Sequence, residues 1–167
     1  TGIKGQLGFD VANELEKRGH KAVGVDVEEM DITDGKKVSE VMQCVKPDAV
    51  IHCAAWTAVD AAEENAEKVR LVNVAGTENI AKESKLLGCK MMYISSDYVF
   101  DGQGIAPWKP DCKDYKPLNV YGKTKLDGEK AVVDNVNKFF IVRIAWVFGK
   151  NGNNFIKTML RLGKTHE

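Results

Sequence analysis

Apolar positions fall into two rhythms along the chain. Ala49-Val50-Ile51-His52-Cys53-Ala54 and Met91-Met92-Tyr93-Ile94-Ser95 are near-continuous apolar runs of buried-strand length. Lys21 to Asp26 is a short β-rich run that ends on an acid, and Phe139 to Val147 predicts a further strand. Between these runs the spacing turns helical. Phe9, Val11, Ala12 and Leu15 share one face until Gly19 stops the pattern. Asp31-Ile32-Thr33-Asp34 makes a turn whose Thr or Asp can cap a helix running to about Val45, and Pro47-Asp48 ends it. Ala61 to Leu87, rich in Ala, Glu and Lys and closed by Gly88, predicts one long helix. A helix from about Asn119 to Asn135 and a short one from about Asn154 complete the series.

Strands alternating with helices, without internal repeats, predict an α/β domain: a parallel, Rossmann-like doubly wound sheet with helices on both faces. Ligands of such sheets lie at the carboxyl ends of the strands. The chemically informative residues cluster at those ends: the opening glycine loop, Asp26, Ala54 to Asp60, Ser95 to Asp97, and Arg143 to Gly149. Asp97 to Leu118, heavy in Gly, Pro and Asp, predicts a long loop of the kind that is usually functional.

Composition narrows the classes of partner. The 167 residues fit one domain, and 44% hydrophobic with 29% charged residues describes a globular chain. Because 24 basic residues balance 24 acidic ones, no general attraction to nucleic acid or to an anionic membrane is expected. No apolar run approaches the roughly 18 residues of a membrane span. Cys44, Cys53, Cys89 and Cys112 are widely separated and lack ligand-spaced His, so no metal or redox pair is expected, and reduced thiols fit a cytoplasmic protein.

Tyr121-Gly122-Lys123-Thr124-Lys125 carries the chemistry. On a helix, positions four apart share a face, so an ammonium stands beside a phenol. Such a cation lowers a phenol pKa that starts near about 10, which makes Tyr121 a candidate acid. The other end of the sequence offers an anion site. Gly2, Gly5 and Gly8 in Thr1-Gly2-Ile3-Lys4-Gly5-Gln6-Leu7-Gly8 space as G-x-x-G-x-x-G, and such a turn lets a pyrophosphate approach a helix N-terminus. Asp26, at a strand end, is placed to accept hydrogen bonds from ribose hydroxyls and to repel a 2′-phosphate, a lean toward NADH over NADPH.

In this order, T-G-x-x-G-x-x-G, an acidic strand end, Asp31-Ile32, Ala54-Ala55, Ser95-Ser96 and Y-x-x-x-K resemble the extended short-chain dehydrogenase/reductase family. Thr57 to Glu63, Ser96 to Gly102, Pro117 to Leu126 and Trp146 to Gly149 are similar to its nucleotide-sugar reductases. The resemblance implies an enzyme that transfers hydride from NADH or NADPH to the C4 carbonyl of a nucleotide sugar, without a metal. Tyr121 would be the proton donor, Lys125 would tune it and hold the nicotinamide ribose, and Ser96 would fix the carbonyl. Gly2, Gly5, Gln6, Leu7 and Gly8 would lie along the pyrophosphate, Asp26 by the adenosine ribose, and Asp31 and Ile32 by the adenine. Ala55, Trp56 and Thr57 would flank the inner half of the cofactor. Val59, Ser96, Asp97 and Trp146 would meet the sugar nucleotide, within substrate-facing segments 55–63, 96–118 and 143–155.

The resemblance further implies a soluble enzyme that can form a homodimer. Two features depart from it. Ser96 stands where many relatives carry Thr, and either hydroxyl can donate. Residues 1–167 also read as an NAD(P)-binding fragment that lacks the family's first strand and its C-terminal substrate domain. A strand-wide gap is therefore expected beside Lys21 to Asp26. Epimerases or dehydratases of the same family, and a non-catalytic regulatory subunit similar to the methionine adenosyltransferase β subunit, remain as alternatives.

Overall fold

The computed structural model describes residues 1–165. Three parallel strands, β1 (Ala49–His52), β2 (Lys90–Ser96) and β3 (Phe139–Ile144), form one sheet in the order β1-β2-β3. Ala49 lies opposite Lys90, and Met91 opposite Phe139. The strand period of two divides β2 cleanly. Met91, Tyr93 and Ser95 are buried toward the helices, while Met92 and Ile94 on the other face are only half-buried.

The helices are α1 (Gln6–Lys17), α2 (Gly35–Val45), α3 (Val59–Glu64), α4 (Ala66–Arg70), α5 (Thr77–Leu87), α6 (Val120–Asn135) and α7 (Phe155–Thr165). Their starts follow side-chain chemistry. Asp34 accepts from the Lys36 and Lys37 amides at α2, Asn119 from Gly122 N at 2.7 Å at α6, and Asn154 from Lys157 N at 3.1 Å at α7. In the main core cluster Val38 and Met42 of α2, Val50 of β1, Ile80 of α5, Met91 and Tyr93 of β2 and Val132 of α6 meet, and a smaller cluster joins Val99, Phe100 and Leu126. Each such aliphatic side chain contributes about 1.5–3 kcal/mol on leaving water. No helix among the described residues is long and apolar enough to cross a membrane.

Four expectations are corrected. Lys21 to Asp26 is extended but joins no ladder; its backbone is tied by Ile3 N to Val25 O at 3.3 Å and, in the turn that follows, by Met30 N to Asp26 O at 2.8 Å. A groove of about 500 Å³, lined by Val23, Val25, Leu15, Met42 and Val50, separates it from the free edge of β1, so its backbone groups have no strand to pair with. This is the gap the sequence anticipated. Second, Ala61 to Leu87 is not one helix. Asn65 breaks it at φ −125°, and Leu71–Gly76 widens into a π-helical segment. Third, the last strand stops at Ile144 because Trp146 takes a left-handed conformation, φ 51°. Fourth, helices do not cover both faces of the three strands: α5 and α6 pack on one face, and on β3 Phe140 is 65% exposed.

Gly128 of α6 has a specific packing reason. A Cβ there would run into the Tyr93 hydroxyl and come within 2.8 Å of Asn73 O. Gly128→Ala should therefore destabilise the protein by about 1–3 kcal/mol despite the better helix propensity of Ala. Urea unfolding of the full-length protein checks this, and an unchanged or raised midpoint would contradict the packing.

Candidate active site

A cleft of about 710 Å³ opens along the carboxyl ends of the strands. One end is the glycine loop. Gly2 sits at φ +69°, with room for no side chain because a Cβ would stand 2.8 Å from Ala54 N. The Cβ of any residue at position 8 would strike Gly2 O. Close packing of loop on helix leaves Gly5, Gln6, Leu7 and Gly8 on the cleft wall. The first amides of a helix have no partner within it and carry the positive end of its dipole, so this wall suits a pyrophosphate.

Asp26, Asp31 and Ile32 line the same cleft. The Asp26 carboxylate is already oriented, accepting from Lys4 N and from Val27 N, each at 2.9 Å. Asp31 Oδ1 accepts from Thr33 N at 2.9 Å and from its hydroxyl at 2.7 Å, and Asn79 Nδ2 donates to Ile32 O at 2.9 Å. The residues expected at the two ends of a dinucleotide thus fit a cofactor of this length and charge. Further in, Ala55, Thr57 and Val59 line the wall, but Trp56 does not. Its indole turns back to Ala58 O at 3.1 Å, and its backbone is held from both sides by Asn73.

Ser96, Asp97, Tyr121 and Trp146 also line the cleft. Ser96 ends β2 and caps the turn that follows, accepting from Tyr98 N at 3.2 Å while it donates to Asp97 Oδ1 at 3.2 Å. Tyr121 stands in the first turn of α6, edge-on to Tyr98 with ring centroids 5.5 Å apart. Lys125 shares its helix face but lies one turn deeper, 2% exposed. Its ammonium donates to Ile94 O at 2.7 Å and sits 4.2 Å from the Tyr93 ring centroid. Burial draws the Lys125 pKa down to about 7, against the pull of Glu129 and Cys53.

The expected effect on Tyr121 is corrected as well. Burial pushes its pKa up, with Ser96 pulling the other way and Asp97 and Tyr98 adding to the rise. A phenol in a partly dry wall beside an acid loses more by ionising than a cation aimed elsewhere restores.

Sequence reasoning missed several residues of the site. Asn73 faces Trp56 and Thr124 because the π-helical segment turns it there; its amide also donates to Thr124 Oγ1 at 3.2 Å. No local pattern announces such a turn. Gln6 was expected only at the pyrophosphate, yet its side chain donates to Val147 O at 3.1 Å and accepts from Asn154 at 3.1 Å, tying the glycine loop to the segment after β3. Trp146, 75% exposed, stacks edge-on against Phe155 at 5.1 Å. Its left-handed backbone costs on the order of 1–2 kcal/mol and keeps the indole at the cleft mouth.

A phosphate-ready helix start, an acid further along the wall, and Ser96 and Tyr121 across the cleft with Lys125 buried behind them are the arrangement of a Rossmann-like, dinucleotide-binding α/β domain. The family model of the RmlD substrate binding domain matches residues 1–167, and the chain belongs to that family. It is 42% identical over 170 residues to dTDP-4-dehydrorhamnose reductase of Salmonella typhimurium, covering 99% of this chain and 56% of that protein. It is 35% identical to the spore coat polysaccharide biosynthesis protein SpsK of Bacillus subtilis, over 100% of this chain and 59% of that one. A dTDP-4-dehydrorhamnose reductase of Bacillus anthracis, solved in complex with NADP, superposes with a TM-score of 0.92 at 42% identity, over 99% of this chain and 59% of that one. The chain thus spans a little over half the length of these relatives.

The buried lysine has a measurable consequence. A Lys pKa near 7 in the folded state, against 10.5 unfolded, means that the unfolded chain binds the extra proton between these values, so folding stability rises with pH across that window. Wild type should gain stability between pH ~7 and ~9.5 relative to Lys125→Met. Paired denaturation curves check this, and parallel pH profiles would place the ammonium in water.

Proposed function

We propose that this chain is the cofactor-binding and catalytic part of a dTDP-4-dehydrorhamnose reductase. It would reduce the C4 carbonyl of dTDP-4-dehydro-L-rhamnose to dTDP-L-rhamnose with NADH or NADPH, in dTDP-rhamnose and cell-surface polysaccharide biosynthesis. The observation that carries the reading is Ser96 and Tyr121 side by side on a cleft whose far end is the glycine loop and Asp26.

Gly5, Gln6 and Leu7 hold the pyrophosphate, Asp26 the adenosine ribose, and Asp31 with Ile32 the adenine. When bound, the reduced nicotinamide supplies hydride. Tyr121, a phenol whose burial holds its proton more firmly still, gives that proton to the oxygen on which negative charge develops. Ser96 releases Asp97 and donates to the same oxygen, which fixes the carbonyl against the phenol. The Lys125 ammonium, a helical turn below, favours the phenolate left behind. Val59, Asp97 and Trp146 hold the sugar nucleotide, Trp146 with an apolar face toward the ring. A cytoplasmic, dimeric enzyme is part of the same proposal, and sedimentation of the full-length protein tests the assembly.

Full-length protein mixed with dTDP-4-dehydro-L-rhamnose should consume NADH or NADPH in step with product. Tyr121→Phe should lower kcat by about 10²–10⁴-fold while cofactor affinity is unchanged. Cofactor binding with no oxidation would favour the non-catalytic reading. Product formed without net loss of reduced cofactor would favour an epimerase or dehydratase.

A further inference from the structure

The helix face that carries Tyr121 and Lys125 continues one turn further to Glu129. This carboxylate is 4% exposed and fully engaged. Ser95 Oγ donates to Oε1 at 2.5 Å, Arg143 Nε to Oε1 at 2.8 Å, and Arg143 Nη2 to Oε2 at 2.7 Å. Arg143 Nη2 also donates to Tyr115 OH at 2.8 Å, and the guanidinium lies over the rings of Phe100 and Tyr115 at 5.2 and 5.0 Å. Two adjacent residues of β2 are therefore bonded to two successive turns of α6: Ile94 O to Lys125, and Ser95 to Glu129. The next residue of β2 is Ser96.

Apolar packing alone would hold α6 on the sheet. A buried ion pair rarely beats well-packed hydrophobic side chains in stability, but its geometry specifies register, which apolar contact does not. Here the register decides whether the Ser96 hydroxyl on the strand and the Tyr121 phenol on the helix point to the same spot.

We propose that Glu129, with Arg143 as counter-ion and Ser95 as its link to β2, is a positioning residue of the reductase that sets α6 against the strand so that Ser96 and Tyr121 meet at one carbonyl. This rests on the reductase reading given above.

The same carboxylate acts on Lys125. The groups facing that ammonium are Glu129 on α6, His52 and Cys53 at the end of β1, and Tyr93 on β2. His52 is held neutral by burial, and Glu129 is the largest influence raising the lysine pKa. Loss of its charge lowers the pKa of Lys125 further, whereas loss of Arg143 leaves that charge unopposed and raises it.

The test uses the full-length enzyme with Glu129→Gln, Arg143→Gln and Ser95→Ala. In Glu129→Gln, kcat should fall about tenfold or more with NADH affinity unchanged, and the alkaline fall of the rate should begin about one pH unit earlier. In Arg143→Gln the fall should begin later. Opposite displacements are a signature that general loosening does not produce. If Glu129→Gln does not fold, Ser95→Ala decides, because it leaves no charge unpaired: a several-fold loss of kcat with wild-type NADH affinity is expected, beside a fall of several degrees in melting temperature from the lost buried hydrogen bond. Wild-type kcat in Ser95→Ala, or displacements of one sign in both charge variants, would overturn the proposal. Titration of the Lys125 side chain by NMR reads the same opposite shifts without turnover. An inactive wild type therefore defeats the reductase reading alone, and lysine shifts of one sign defeat this one.

Discussion

The buried amine of Lys125 is the polar constraint that the surrounding strands and helices must satisfy. Lys125 is 2% exposed, and burying a charge without compensation costs several kcal/mol. The compensation comes from three directions: the Ile94 carbonyl, the face of Tyr93, and the Glu129 carboxylate a turn away. Each demand propagates. Tyr93 can lie under the ammonium only because position 128 has no side chain, and Glu129 is itself gripped from β3 by Arg143. His52, near the same cation, is held neutral and shares its two ring nitrogens with Thr1 and Thr77. The polar contacts of this one side chain thus reach β2 directly, and those of its neighbours Glu129 and His52 extend to β3 and α5.

The far end of the cleft works by the reverse logic. With no net charge on the chain, attraction for an anion must be local, and the start of α1 supplies it through backbone dipoles. Asp26 adds the opposite sign a short way along, already aimed by two backbone amides. Partial positive charge for a pyrophosphate and an acceptor for ribose hydroxyls form a pattern that matches a dinucleotide better than it matches a simple phosphate ion. Gln6 joins this end to the segment after β3, so the anion site and the Trp146 wall share one scaffold.

What the sequence made legible were the features governed by neighbours in the chain. Asp34, Asn119 and Asn154 cap the helices expected from them, and the apolar runs at Ala49 and Met91 are strands. The glycine loop, Asp26, Ser96, Tyr121 and Trp146 all reach the cleft. What stayed hidden depends on distant partners. A strand requires a neighbour, and Lys21 to Asp26 has a groove beside it. The π-helical turn at Asn73 serves the Trp56 backbone, 17 residues away, and helical periodicity cannot encode that. Glu129 is not singled out by its neighbours in the chain, and Arg143 is expected only as part of a strand-end segment at the cleft; the register of β3 on β2 instead brings Arg143 opposite Ser95, where it grips Glu129.

The tyrosine and lysine illustrate the difference most sharply. Spacing of four correctly gave a shared face, and from it came the expectation of a lowered phenol pKa. Sharing a face does not mean sharing a depth. Tyr121 begins the helix at the cleft wall beside Asp97 and Tyr98, whereas Lys125 sits a turn inside with its proton donated to Ile94. The phenol therefore keeps its proton more firmly than a free tyrosine does. For the reduction proposed above this is the useful direction: the group must arrive protonated, and a cation below it matters only once the proton has gone.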